Sequence, residues 1–171
     1  MTDEVTQRID RLIEEIVAYA RDQMRAQGGM LPMYALKIGQ TVLPIVANYE
    51  DEDAKIKVLN QVRTIIVAFW PQSVAFIMEC WSSQKFDANH EPLYPRASQD
   101  PDRQEGVMVL VATPEKERGR VLVTKRDAQD NVVDLVDSDM PAGDMGGQLS
   151  GLYPTALPTR QVQRQAQRAL E

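Results

Sequence analysis

Two short apolar runs outside the helical patterns limit what the rest of the chain can build. They are Val74-Ala75-Phe76-Ile77-Met78 and Val107-Met108-Val109-Leu110-Val111-Ala112. A strand whose odd and even positions are both apolar buries both of its faces, so it belongs in the middle of a sheet. Residues 73–82 and 106–113 are therefore read as two central strands, and the remaining elements must cover them.

The segments around these runs supply that cover. Val5, Ile9, Leu12, Ile13, Ile16, Val17, Ala20 and Met24 recur at helical spacing, which predicts an amphipathic helix over 3–27. Gly28-Gly29 stops it, because glycine accepts the left-handed conformation of a helix end. Residues 33–47 predict a β-hairpin turning at Gly39-Gln40, a sequence suited to a II′ turn. Pro44 cannot donate to a ladder, so the returning strand is expected at a sheet edge. Val58, Leu59, Val62, Ile65, Ile66 and Phe69 form the apolar stripe of a second helix over 51–69, with an acidic first turn and Pro71 beyond its end. Residues 119–126 and 131–137 complete a meander around the turn Asp127–Asp130.

The reading is an α+β fold: a mostly antiparallel sheet of five to six strands, in the order α-ββ-α-β-βββ or α-ββ-α-βββ. Two main helices are expected on one face of the sheet. In element order alone this is similar to Roadblock-type and profilin-like domains. Residues 1–139 are expected to form one domain. Residues 140–171, rich in Gly and Pro at the start, are expected as a flexible linker and tail in which Thr159 caps a short helix. A chain of 171 residues that is 43% hydrophobic can bury an ordinary core without metal or disulfide staples.

Charge and cysteine usage narrow the partners. The net charge of −6 disfavours nucleic acid, whose phosphates are bound by Lys and Arg, and disfavours anionic membranes. The single cysteine, Cys80, cannot pair within the chain, which points to a reducing, cytoplasmic setting. The start Met1-Thr2-Asp3-Glu4 lacks the pattern of a signal peptide, and no run approaches the roughly 20 apolar residues of a membrane span. No cofactor is called for. Walker, dinucleotide-binding, paired-cysteine, zinc-protease and nucleophile-elbow motifs are all absent.

Chemistry, if present, has few places to sit. Glu79 ends an apolar strand on the face of Trp81; desolvation there would make it a candidate acid or base. The polar loop 83–105 holds Asp87, His90 and Glu91, which together could ligate a divalent ion, and His90 is the chain's single histidine. Asp102 and His90 are the candidate catalytic partners of Glu79; Trp81, Arg96 and Arg103 are candidates for binding a ligand or anion. Asp102, Arg103 and Glu105 could also form ion pairs that pin the loop back to Glu79 or Arg96. Lys116, Arg118, Arg120, Lys125 and Arg126 read as a solvated sheet face, without the interleaved aromatics that base stacking needs. Arg160, Arg164 and Arg168, four apart on the last helix, are candidate partner-binding residues. Cys80 reads as a small buried residue beside Glu79, which opposes thiolate formation.

The expected function is a non-enzymatic module that binds another protein or its own copy as a homodimer. The alternative is a small enzyme or ligand binder with its site at Glu79, Trp81 and the loop 83–105.

Overall fold

The structure, a computed structural model, describes residues 4–47, 50–82, 93, 99–138, 149 and 151–171. Helix α1 (Glu4–Gln27) buries Thr6, Ile9, Ile13, Val17, Ala20 and Met24 on one stripe. It ends where Gly28, at φ +73°, donates its N–H to the Met24 carbonyl at 2.8 Å. The hairpin of β1 (Met33–Ile38) and β2 (Thr41–Val46) turns at Gly39, whose φ of +60° suits the first residue of a II′ turn. Helix α2 (Glu52–Phe69) is capped by the Asp51 carboxylate, which accepts from the Ala54 N–H at 2.7 Å. It closes on Trp70, held left-handed at φ 47°, a conformation that costs a bulky residue about 1 kcal/mol or more.

Strands β3 (Ser73–Ser82), β4 (Gln104–Ala112), β5 (Glu117–Arg126) and β6 (Val132–Asp137) follow, then helix α3 (Arg160–Arg168). Among the described residues this gives three helices and one six-stranded antiparallel sheet ordered β2-β1-β3-β4-β5-β6. The α+β class is as the sequence implies, and β2 carries Pro44 at an edge. Gly106 sits where β5 comes close to β4: a Cβ there would collide with the Leu122 carbonyl oxygen.

The helices do not share a face. Helix α1 packs with Ala75, Ile77, Val107, Val109, Val111 and Leu122. Helix α2 packs with Tyr34, Leu36, Val74, Phe76, Leu110 and Ala112, the alternate residues of the same strands. The expectation of two helices on one face is therefore corrected to one main helix on each. The physical reason lies in the central strands: β3 and β4 are apolar on both faces, and one-sided cover would have left Val74, Phe76 and Leu110 in water.

The buried apolar row of α1 fixes it to the sheet, and a ladder of polar pairs matches that register. Thr6, Asp10 and Glu14 lie four apart and climb about 6 Å per step along a helix. Lys116, Arg118 and Arg120 lie two apart and climb about 6.7 Å per step along a strand. The two ladders match. Lys116 Nζ reaches Thr6 Oγ1 at 3.3 Å, Arg118 Nε reaches Asp10 at 2.9 Å and Arg120 Nη1 reaches Glu14 at 2.5 Å. Lys116, Arg118 and Arg120 thus face α1 and not open solvent, Arg126 is paired with Glu105, and of the five basic residues Lys125 is the exposed one.

The segment after residue 148 is tied down where it is described. Leu149 and Leu152 are buried in the α2-side core, and the Tyr153 hydroxyl donates to the Pro71 carbonyl at 2.9 Å. Tyr153 also meets Trp70 edge-on, with centroids 5.5 Å apart. Thr159 caps α3 as the sequence implies, and Gln167 on α3 donates to the Ala68 carbonyl of α2.

Candidate functional site

The end of β3 gathers several of the residues that the sequence singles out. Glu79 and Trp81 point to the α1 side, with Ala75 and Ile77. Glu79 is half-buried, and its carboxylate accepts the Met30 N–H just beyond the end of α1. Trp81 is 51% exposed, and the Arg103 guanidinium lies 4.8 Å from its ring centroid, a cation–π distance. Arg103 is held there by a tight turn: Asp100, 1% exposed, accepts from the Asp102 N–H at 2.9 Å, and its carbonyl accepts from the Arg103 N–H at 3.2 Å.

Glu105 takes part in an ion pair, and its partner among the described residues is Arg126 of β5. Arg126 grips it with two hydrogen bonds, Nε at 2.9 Å and Nη2 at 2.7 Å. Arg126 also donates to the Asp130 and Gly28 carbonyls. These bonds hold the Glu105 carboxyl below its ordinary range against the opposing effect of burial. The arrangement joins β4, β5 and the end of α1, and every group in it is spent on holding structure. Cys80 fits the same picture: burial first, and Glu79 second, push its thiol up to about 11, far from nucleophilic at neutral pH.

Asp87, His90, Glu91 and Arg96 lie outside the described residues. Among the described residues no group of three or more His, Cys, Asp or Glu side chains is placed to hold a metal ion. Arg160, Arg164 and Arg168 project from the exposed side of α3, whose packing partner is α2 of the same chain. No helix among the described residues is long and apolar enough to cross a membrane.

The feature that sequence reasoning missed lies on the opposite side of α1 from its charge ladder. Helix α1 rests mainly over β4, β5 and β6, reaches Met33 and Ala35 of β1, which are half-buried against its core, and leaves the near face of β2 bare of any described element. The bare face is a trough of about 320 Å³ lined by Ile16 and Tyr19 of α1, by Met33, Ala35, Val42 and Pro44 of the hairpin, and by Ile77, with Glu15 at its rim. A second hollow, of about 140 Å³, shares Tyr19 and Met33 and extends the trough past Val46 to Leu31. Its apolar lining is open to water: Val42 is 57% exposed, Val46 50%, Leu31 63% and Tyr19 42%. One signal in the sequence pointed here. Apart from Lys37 and Thr41 the hairpin strands are apolar on both faces, yet Pro44 puts them at an edge where only one face is assured of cover.

The two edges of the sheet differ. Along β6 the carbonyls of Val133 and Leu135 accept from Arg25 and Arg21 of α1 at 2.9 and 3.0 Å, and Arg25 also pairs with Asp134 at 3.1 Å. Two arginines thus occupy groups that another strand would use. Along β2 the pair Ile38↔Thr41 flanks a two-residue turn and is hydrogen-bonded, and pairs alternate from there to the bond from Ala47 N–H to the Pro32 carbonyl. Val42, Pro44 and Val46 therefore turn their backbone groups outward, and Pro44 has no N–H to offer. No family model, curated protein or solved structure matches this chain.

Proposed function

We propose that this protein is a non-enzymatic binding module that acts in the cytoplasm by holding an apolar segment of another protein in the trough between α1 and the β1–β2 hairpin. One observation carries this reading. The molecule covers both faces of its central strands, yet leaves a contiguous apolar strip open along α1. Exposed apolar side chains gathered beside a groove, unlike ones scattered singly, are a form that interaction sites take. The polar cluster at the end of β3 supports a different role: Glu79 and Glu105 are committed to Met30 and Arg126, so that region serves as scaffold.

The test is comparative capture from cells that express the chain, using three forms: wild type, Val42→Asp with Val46→Asp, and Arg164→Glu as a control on the far side. Val42 and Val46 are half-exposed or more, so the aspartates leave the core intact, as circular dichroism will verify. The reading expects a protein retained by wild type and by the α3 variant and lost from the trough variant. Equal retention by all three overturns it.

A further inference from the structure

Resting on that reading, we propose that the occupant of the trough is an amphipathic α-helix of another protein, laid beside α1 on the exposed face of β1 and β2. Width is the first argument. Adjacent strands lie about 4.8 Å apart, so β2 together with the half-covered β1 presents a strip of up to about 10 Å across. That is the diameter of one helix with its side chains, about 10–12 Å. A helix here would complete, over the hairpin, the layer that α1 begins over the rest of the sheet.

Extent is the second. Each strand of the hairpin has six residues, a run of about 20 Å. The footprint is then on the order of 200 Å², against roughly 800 Å² that each partner buries in a standard stable interface. The trough suits a single element and falls short of what a dimer of globular faces needs.

Chemistry removes the other occupants. A second copy stacked face to face would lower its own α1 into the trough. The crest of α1 carries Arg11, Glu15 and Asp22, all exposed and opposite the buried row. Setting such charges against Val42, Pro44 and Met33 would bury ions without partners, which disfavours that arrangement. An added strand would need the outward groups of β2, and Pro44 supplies no donor at the middle of that edge. The helix that fits carries an apolar stripe toward Ile16, Tyr19, Ala35 and Val42, with a polar residue where the exposed Lys37 shares that face across from Val42 and polar residues on its outer side.

The experiment titrates isotope-labelled full-length protein with amphipathic peptides of about 18 residues that carry Leu, Phe or Met on one stripe and Lys elsewhere. Peptides of the same composition with strict alternation serve as strand probes, and light scattering follows the protein alone. Expected is saturable binding of a helical peptide, with amide shifts at Tyr19, Met33, Ala35 and Val42. Affinity should fall by about tenfold or more in the Val42→Asp, Val46→Asp protein. That loss is diagnostic, because two added negative charges would strengthen nonspecific attraction to a cationic peptide. Binding of the alternating peptide alone, with shifts along the β2 edge, overturns the helix and leaves the binding-module reading standing. A concentration-dependent dimer with the same trough residues shifted overturns the helix in favour of a second copy. No binding by any peptide to a monomer also overturns the helix, while the capture experiment above decides the broader reading independently.

Discussion

Gly106 shows how one residue can be fixed by backbone proximity alone. Its missing Cβ is what lets the Leu122 carbonyl pass, and backbone cannot rotate aside as a side chain can. Gly106→Ala is expected to destabilise the protein by about 2–3 kcal/mol, seen as a lower denaturation midpoint with an unchanged slope. A loss under about 0.5 kcal/mol would contradict the close approach. The carboxylates make a prediction of opposite character, in pH. Arg126 holds the Glu105 carboxyl below its usual 4.5, and Arg120 holds that of Asp137 below its usual 3.8. A carboxyl lowered in the folded state contributes stability above its unfolded value and loses it as pH falls toward the folded one. Stability should therefore decline as pH drops through about 4.5 and continue to decline below 3.8. The Glu105→Gln, Asp137→Asn protein should show a shallower decline in urea melts at pH 5, 4 and 3. Parallel curves for the two proteins would count against these ion pairs.

Elements answer to pairings that no single residue reveals. Local signals locate them well: Gly28 ends α1, Gly39 turns the hairpin, Thr159 caps α3, and the apolar runs of β3 and β4 fall within the strands expected of them. What the local pattern does not carry is the lateral position of α1. That goes with the buried row of α1 finding Ile77, Val109 and Leu122, and with Asp10 meeting Arg118 and Glu14 meeting Arg120, partners 108 and 106 residues apart. The same registration decides which strands stay bare, so the trough was hidden in the sequence for the reason α1's placement was. It also delivers Arg21 and Arg25 to the β6 edge. Replacing both with alanine should cost little stability, since partly exposed ion pairs contribute about 1 kcal/mol or less. It should instead produce concentration-dependent association by light scattering, as β6 regains free carbonyls. A variant that stays monomeric at high concentration would show that the arginines do not guard the edge.

At the scale of the whole molecule, the C-terminal segment and the trough are where composition and structure part company. Gly and Pro at 141–154 suggest a loose tail, yet Leu149, Leu152 and Tyr153 pack on the α2 side. Composition records local chain stiffness and says nothing of a few apolar side chains that find a core. Leu152, 3% exposed, should behave as a core residue: Leu152→Ala is expected to cost about 2–4 kcal/mol in chemical denaturation, whereas a tail residue would cost nearly nothing. The candidate site divides in the same manner. Glu79, Trp81 and Arg103 were legible because they stand at the ends of apolar strands, but their partners Met30 and Asp100 come from separate turns and make that corner a brace. The trough needs the complete three-layer arrangement before it exists. Its openness can be measured directly through the rate at which a thiol at position 42 is alkylated, in a Cys80→Ser background. The account predicts labelling of Val42→Cys at nearly the rate of a free peptide thiol, unchanged on dilution and slowed by a bound amphipathic helix. Strong protection of that thiol in the dilute, isolated protein would mean that the chain already covers the strip, and the proposed binding surface would not exist.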